Sequence, residues 1–144
     1  MGDAHAHASA AAFEGRMDIS GSGFWDLLVA AAADDADLCG KAAQARACAF
    51  AVRIDDAQHL LEFHRGVLAR LEGKDLTGIR FSISGPKSEW EKVITGAIPY
   101  ARAINVFHGR LRVEGDALSV LWMTPALWQL WRVSARLSGG IGHD

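Results

Sequence analysis

Glu62 and His64 stand two residues apart in "HLLEFH", and on an extended strand that spacing sets a carboxylate and an imidazole on one face. General acid/base chemistry uses such a pair. The same face also gathers arginines, and a surface ion cluster is the better account of the two residues. His108, just before Gly109, suits a helix C-terminus, where the dipole favours a cation. Ser82 and Ser84 alternate in "FSISGP" without the setting that exposes a serine nucleophile, and no glycine-rich phosphate loop follows a strand. The two cysteines, Cys39 and Cys48, have neither CxxC nor zinc-like spacing, and Cys48 sits in an apolar alternation as a small hydrophobe. His5 and His7 have no third ligand to make a metal site. These residues assign no catalytic centre, metal or cofactor. A small enzyme of lipid or terpenoid metabolism stays open as an alternative.

The elements that must position these residues follow from hydrophobic periodicity. Residues 1–20, rich in Ala, Gly and His, read as a flexible arm, residues 21–138 as one domain, and 139–144 as a flexible tail. Phe24, Trp25, Leu28 and Ala31 or Ala32 recur at helical spacing, and a second short helix is expected from Asp37 to about Arg46. Strands come next. "ACAFAVRID" places Cys48, Phe50, Val52 and Ile54 on one face; "HLLEFH", "VLARL" and "IRFSIS" alternate likewise, and short turns between them predict an antiparallel meander. Arg53, Arg70, Arg80, Arg112, Glu62 and Glu114 are assigned to the solvated face, so the helices must gather on the other.

After Pro86, Ser88 and Glu91 have capping-box spacing ahead of Trp90, Val93 and Ile94, with Gly96 as the stop. Pro99 suits the start of a helix carrying Tyr100, Ile104 and Phe107 on one side. "RLRVEGD" predicts a fifth strand, Asp116 a cap for "ALSVLWM", and Thr124-Pro125 the start of a separate last helix. The class is α+β: a five-stranded, mainly antiparallel sheet with helices on one face.

The net charge of −2, with Lys and Arg scattered singly, gives no footprint for nucleic acid. No run reaches the length of an integral membrane segment, and the N-terminus lacks the form of a secretory signal, so a cytoplasmic location is expected.

Three stretches, "LLEFHRGVLARLEG", "GIRFSISGPKSEWEKVITG" and "FHGRLRVEGDALSVLWMTPAL", resemble the sterol carrier protein 2 (SCP2) sterol-binding domain family. The resemblance runs from about Phe24 to Leu137 and is best marked at Trp90 with Gly96 and from Gly109 to Asp116. It implies a hydrophobic tunnel between sheet and helices that accepts a fatty acid, acyl-CoA, sterol or terpenoid. The residues that would line it are Phe50, Val52, Phe63, Phe81, Ile83, Trp90, Tyr100, Ile104, Phe107, Trp122, Leu127 and Trp131. A filled core would use the same residue types. The ending "IGHD" departs from the peroxisomal address of eukaryotic relatives. Leu127, Trp128, Leu130, Trp131 and Val133 surround the last helix with apolar side chains, so a homodimer through that helix is the alternative partner to a hydrophobic small molecule.

Overall fold

The computed structural model describes residues 18–44, 47–72 and 77–142. The expected N-terminal arm up to residue 17, with His5 and His7, lies outside them, as do the side chains from residue 140 onward. Helices α1 (Ser22–Ala33) and α2 (Ala36–Gln44) precede strands β1 (Cys48–Ile54), β2 (Ala57–His64), β3 (Val67–Leu71) and β4 (Ile79–Gly85). Then come α3 (Lys87–Ile94), the single turn α4 (Tyr100–Ala103), β5 (Arg112–Gly115) and α5 (Ala117–Gly142). The fold is α+β, as the periodicity predicts.

The sheet order is β3-β2-β1-β4-β5, antiparallel except that β4 lies parallel to β1. The meander therefore stops at β3, and β4 pairs with the opposite edge of β1. Alternation assigns faces and carries no information on which edge a strand joins. The edge is decided by packing: Phe50 stacks on Phe81 at 5.3 Å and on Phe63 at 6.1 Å, a continuous aromatic row across β2, β1 and β4. Phe81 is buried and Arg80 exposed, so β4 has the expected register. Gly115, opposite Phe81, has φ +127°, and a Cβ there would lie 2.6 Å from the Arg80 carbonyl oxygen and Phe81 Cα.

Arg70 departs from its expected place on the solvated face. It pairs with Leu61 across the ladder, on the helix-covered side, and its Nε donates to Asp26 Oδ1 of α1 at 2.7 Å. On an edge strand a long side chain can share the covered face and still reach a partner at its rim. The opposite face is less charged at its centre than expected: Ala49, Ala51 and Leu60 are buried there, with Arg53 Nε held by Gln58 Oε1 at 2.8 Å.

Three local expectations are corrected. Ser88 does not cap α3; Pro86 is its N-cap residue, and the side chain that accepts from the first turn is Asp55, whose Oδ1 takes the Lys87 N–H at 3.3 Å. The helix after Pro99 ends at Ala103 rather than continuing to Phe107, because Asn105 Oδ1 accepts the N–H groups of Phe107 and His108 (2.8 and 3.1 Å) and turns the chain. The last two helices are one, with Pro125 inside it. Its missing N–H falls on the exposed side, and Thr124 Oγ1 donates to the Val120 carbonyl at 2.8 Å within the same turn. The unit includes Ile19, whose side chain is buried and whose carbonyl accepts from Trp25 Nε1 at 2.8 Å.

Asp116 caps α5 as expected: its Oδ2 accepts the Ser119 N–H at 3.2 Å and the Ser119 hydroxyl. The hydroxyl bond, more than any other contact, holds its carboxyl below the usual range. Asp116→Ala should lower Tm by about 2–6 °C while leaving ligand binding unchanged, read by thermal melts in parallel with a titration.

His59 lies on the covered face, stacked on Trp25 at 5.1 Å. Burial, and secondarily the Arg70 cation, hold it below its ordinary value of 6.5, against the opposing pull of the Ser20 and Ile19 carbonyls. The folded state thus prefers neutral imidazole. As pH falls through 6.5 the unfolded chain takes up a proton that the folded chain resists, so stability should decline from there down to the lowered folded value. Denaturant midpoints between pH 7.5 and pH 5 check this, and His59→Phe, which keeps a ring on Trp25, should flatten the slope.

Candidate ligand-binding groove

Trp131 of α5 is the meeting point of the helical layer. Trp25 of α1 stands against it at 6.4 Å and Trp90 of α3 at 5.5 Å, both edge-to-face, and Tyr100 of α4 lies tilted at 5.9 Å. Each ring reaches this point because its own element is tied down. Trp90 Nε1 donates to the Arg53 carbonyl oxygen of β1 at 2.9 Å, fastening α3 to the sheet. Ser134 Oγ donates to the carbonyls of Ile94 and Trp131 (3.0 and 2.8 Å), tying the end of α3 to α5. Asp35 accepts from the Leu38 N–H, which opens α2, and from Gln129 and Arg136 of α5.

Between α3, α4 and α5 this arrangement leaves a groove of about 360 Å³. Val93, Ile98, Pro99, Ala101 and Ala135 supply its hydrocarbon wall, Tyr100, Trp128 and Trp131 its rings, and Arg132 a cation. Gly96 also lines it; this residue ends α3 at φ +81°, and a Cβ there would come within 3.1 Å of Ala135 Cβ.

Of the residues expected to line a tunnel, Tyr100 and Trp131 line this groove, and Trp90 stands one ring behind Trp131. Phe50, Phe63 and Phe81 stack on one another in the core, where Val52, Ile83 and Leu127 are also fully buried. Ile104 is half-buried against that core. Phe107 is 85% exposed and Trp122 53% exposed, outside the groove lining. Sequence reasoning did not single out Val93, Ile98, Ala101, Arg132 or Ala135 as lining residues. Their signal was weak, because the groove runs between separate elements, α3, α4 and α5, and helical periodicity reports which side is apolar without reporting whether its neighbour fills the gap.

The groove has an unusual polar balance. Tyr100 Oη and Trp131 Nε1 are buried without a hydrogen-bond partner among the described residues. Burial raises the Tyr100 phenol well above its ordinary range, so it stays protonated and able to donate. A third such atom, His59 Nε2, lies under Trp25, outside the groove lining. Elsewhere Cys48 is a buried thiol pushed up to about 11 by burial, inert as a nucleophile. Among the described residues no cluster of His, Cys, Asp and Glu could hold a metal ion, and no helix is long and apolar enough to cross a membrane. Glu62 and His64 share the open face of β2, with Glu62 half-buried and His64 exposed, in no contact with the groove.

No protein-family model and no curated protein matches the chain. Solved structures match its fold. A conserved hypothetical protein of Thermus thermophilus, described as a candidate sterol carrier protein, aligns over 84% of this chain and 90% of its own, with TM-score 0.63 and 17% identity. A crystal structure of sterol carrier protein 2 aligns over 82% of this chain and 98% of its own, with TM-score 0.62 and 18% identity. The UbiJ-SCP2 ubiquinone synthesis protein aligns over 78% and 93%, with TM-score 0.57 and 16% identity. The alignments span nearly the whole of each of these relatives at TM-scores above 0.5: the chain has the fold of sterol carrier protein 2.

Proposed function

We propose that the protein binds and carries a hydrophobic small molecule, a fatty acid, acyl-CoA, sterol or terpenoid, with its apolar part in the groove between α3, α4 and α5. The observation that carries this reading is the groove itself: about 360 Å³ walled mainly by hydrocarbon and aromatic side chains. That size lies within the range of small-molecule sites. The neighbours in fold, described as a sterol carrier protein and a ubiquinone synthesis protein, support a lipid as occupant. Tyr100 and Trp131 would touch the ligand, with Trp90, Ile104 and Leu127 as the packing behind them.

A homodimer is the second reading, and one observation favours it. Leu118, Leu121, Trp122 and Trp128 are exposed along α5 at helical spacing, a stripe of apolar side chains on the face turned from the core. Native mass spectrometry of freshly purified protein reports both co-purified ligand and oligomeric state.

The carrier reading predicts that long-chain fatty acids shift tryptophan emission at micromolar concentration, because the rings of Trp128 and Trp131 line the groove. Ala101→Phe, which adds bulk at an exposed lining position without adding an indole to the readout, should weaken the affinity read from that response by about tenfold and leave Tm within a degree or two. A protein whose emission ignores lipid, and whose dimer is split by Trp122→Glu, would replace the carrier with the interface.

A further inference from the structure

Ile19 is 1% exposed although it belongs to no helix or strand and lies between the exposed Asp18 and the half-buried Ser20. Residues 18–21 form a strap laid across three elements. Asp18 Oδ1 accepts from Lys87 Nζ at the start of α3 (3.0 Å) and from the Ser20 N–H (3.1 Å), and the Ile19 carbonyl accepts from Trp25 Nε1 of α1 at 2.8 Å. The Ile19 and Ser20 carbonyls also hydrogen-bond His59 of β2, whose ring is stacked on the Trp25 indole at 5.1 Å. These ties are few, and the Asp18–Lys87 pair is open to water, where such a pair contributes little. The helices and ladders on either side have far more contacts to lose, so the strap is the segment that opens at least cost.

His59 beneath it is 7% exposed, and its Nε2 has no hydrogen-bond partner among the described residues. In the neutral ring that atom is an unused acceptor. Protonation makes it a donor with nothing to accept it, and sets a buried charge facing a like charge, Arg70 of β3, whose Nε is already given to Asp26 of α1. Asp18 does not change charge between pH 7.5 and 5, because Lys87 holds its carboxyl below 3.8. Relief must come from water reaching the ring.

We propose that residues 18–21 are a pH-sensitive lid on the helical layer: proton uptake by His59 lifts the strap, draws Ile19 out of the core and uncovers Trp25, while the sheet and the helices stay folded. The lid goes beyond the carrier reading and does not depend on it. It bears on the groove all the same, since Trp25 stands against the lining residue Trp131. With the strap lifted, the imidazole regains its ordinary value of 6.5; with the strap down, burial holds it lower. Below 6.5 the open form takes up a proton that the closed form resists, so the open population grows by up to about tenfold per pH unit until the lowered value is reached.

Hydrogen exchange of two indoles in ¹⁵N-labelled full-length protein tests this. The Trp25 Nε1–H is bonded to the strap, and the Trp90 Nε1–H is bonded to the Arg53 carbonyl of β1, away from it. Trp25 should exchange faster than Trp90, with little dependence on low concentrations of urea, because lifting four residues exposes little surface. Its protection relative to free indole should fall by up to about tenfold per pH unit from 6.5 down to 5. His59→Phe, which keeps a ring on Trp25, should abolish that pH dependence, and His64→Gln, an exposed residue of the same strand, should leave it intact. Lys87→Met should speed Trp25 exchange by about twofold to fivefold at either pH. Trp25 exchange that follows the urea dependence of Trp90 shows that the strap opens only when the whole domain unfolds, and overturns the lid. So does protection of Trp25 that ignores pH, or a pH dependence that survives in His59→Phe. The wild-type urea and pH series decide the question even where His59→Phe does not fold.

Discussion

The helical layer depends on one ring. Hydrophobic burial draws α1, α3, α4 and α5 onto the apolar face of the sheet, but it is non-directional and does not say where on that face each helix comes to rest. Trp131 supplies the missing direction. Edge-to-face contacts with Trp25 and Trp90 have preferred geometry, and each partner ring is itself fixed by an indole hydrogen bond to backbone, so the helices bearing them can neither rotate nor slide freely. Tyr100, the third neighbour, comes from a single turn between Pro99 and Ile104 and has no such bond. The groove opens on the side of Trp131 where the supporting element is shortest.

Placing Trp131 requires that α5 be long and continuous. The helix begins at the Asp116 cap beside β5, passes Pro125, and only then reaches the layer where Trp131 meets its neighbours and Ser134 meets the end of α3. A break at Pro125 would uncouple the cap from the ring. The proline is tolerated because it sits on the exposed side, where a carbonyl that loses its N–H partner can turn to water. Asp35 works at the far end, joining the opening of α2 to Gln129 and Arg136, so α5 is tied toward both ends by aspartate side chains.

The faces of the strands were legible because period-two alternation is a local property: Phe50, Val52, Phe81 and Ile83 are all buried on one side as read. Strand order was not, since Phe81 beside Phe50 is a contact between distant segments that either edge of β1 would have allowed. Arg70 shows a limit of polarity as a guide, because a charged residue on an edge strand can lie on the covered face if a carboxylate waits at the rim. The split at Pro125 was read from a rule about helix starts that holds only where the lost bond would be buried. Of the site, Tyr100 and Trp131 were visible as aromatic residues at helical spacing. Arg132 and Ala135 were not, since what makes them lining residues is a gap between elements, and a gap has no sequence pattern.

A filled core and a ligand groove are built from the same residues, so apolar composition cannot separate them, and neither can the number of aromatic rings. Hydrogen-bond accounting can. Through most of the helical layer each buried polar atom has a partner: the indoles of Trp25 and Trp90, the hydroxyl of Ser134 and the carboxylate of Asp35 follow the rule that folded chains obey almost everywhere. Sequences that satisfy local rules consistently tend to violate them at functional sites. Here two of the violations fall on rings in contact, Tyr100 of α4 and Trp131 of α5, whose residues both line one groove. The coincidence marks the surroundings of Trp131 as the part of the helical layer where local hydrogen-bonding rules are least satisfied, beside the place where the groove opens.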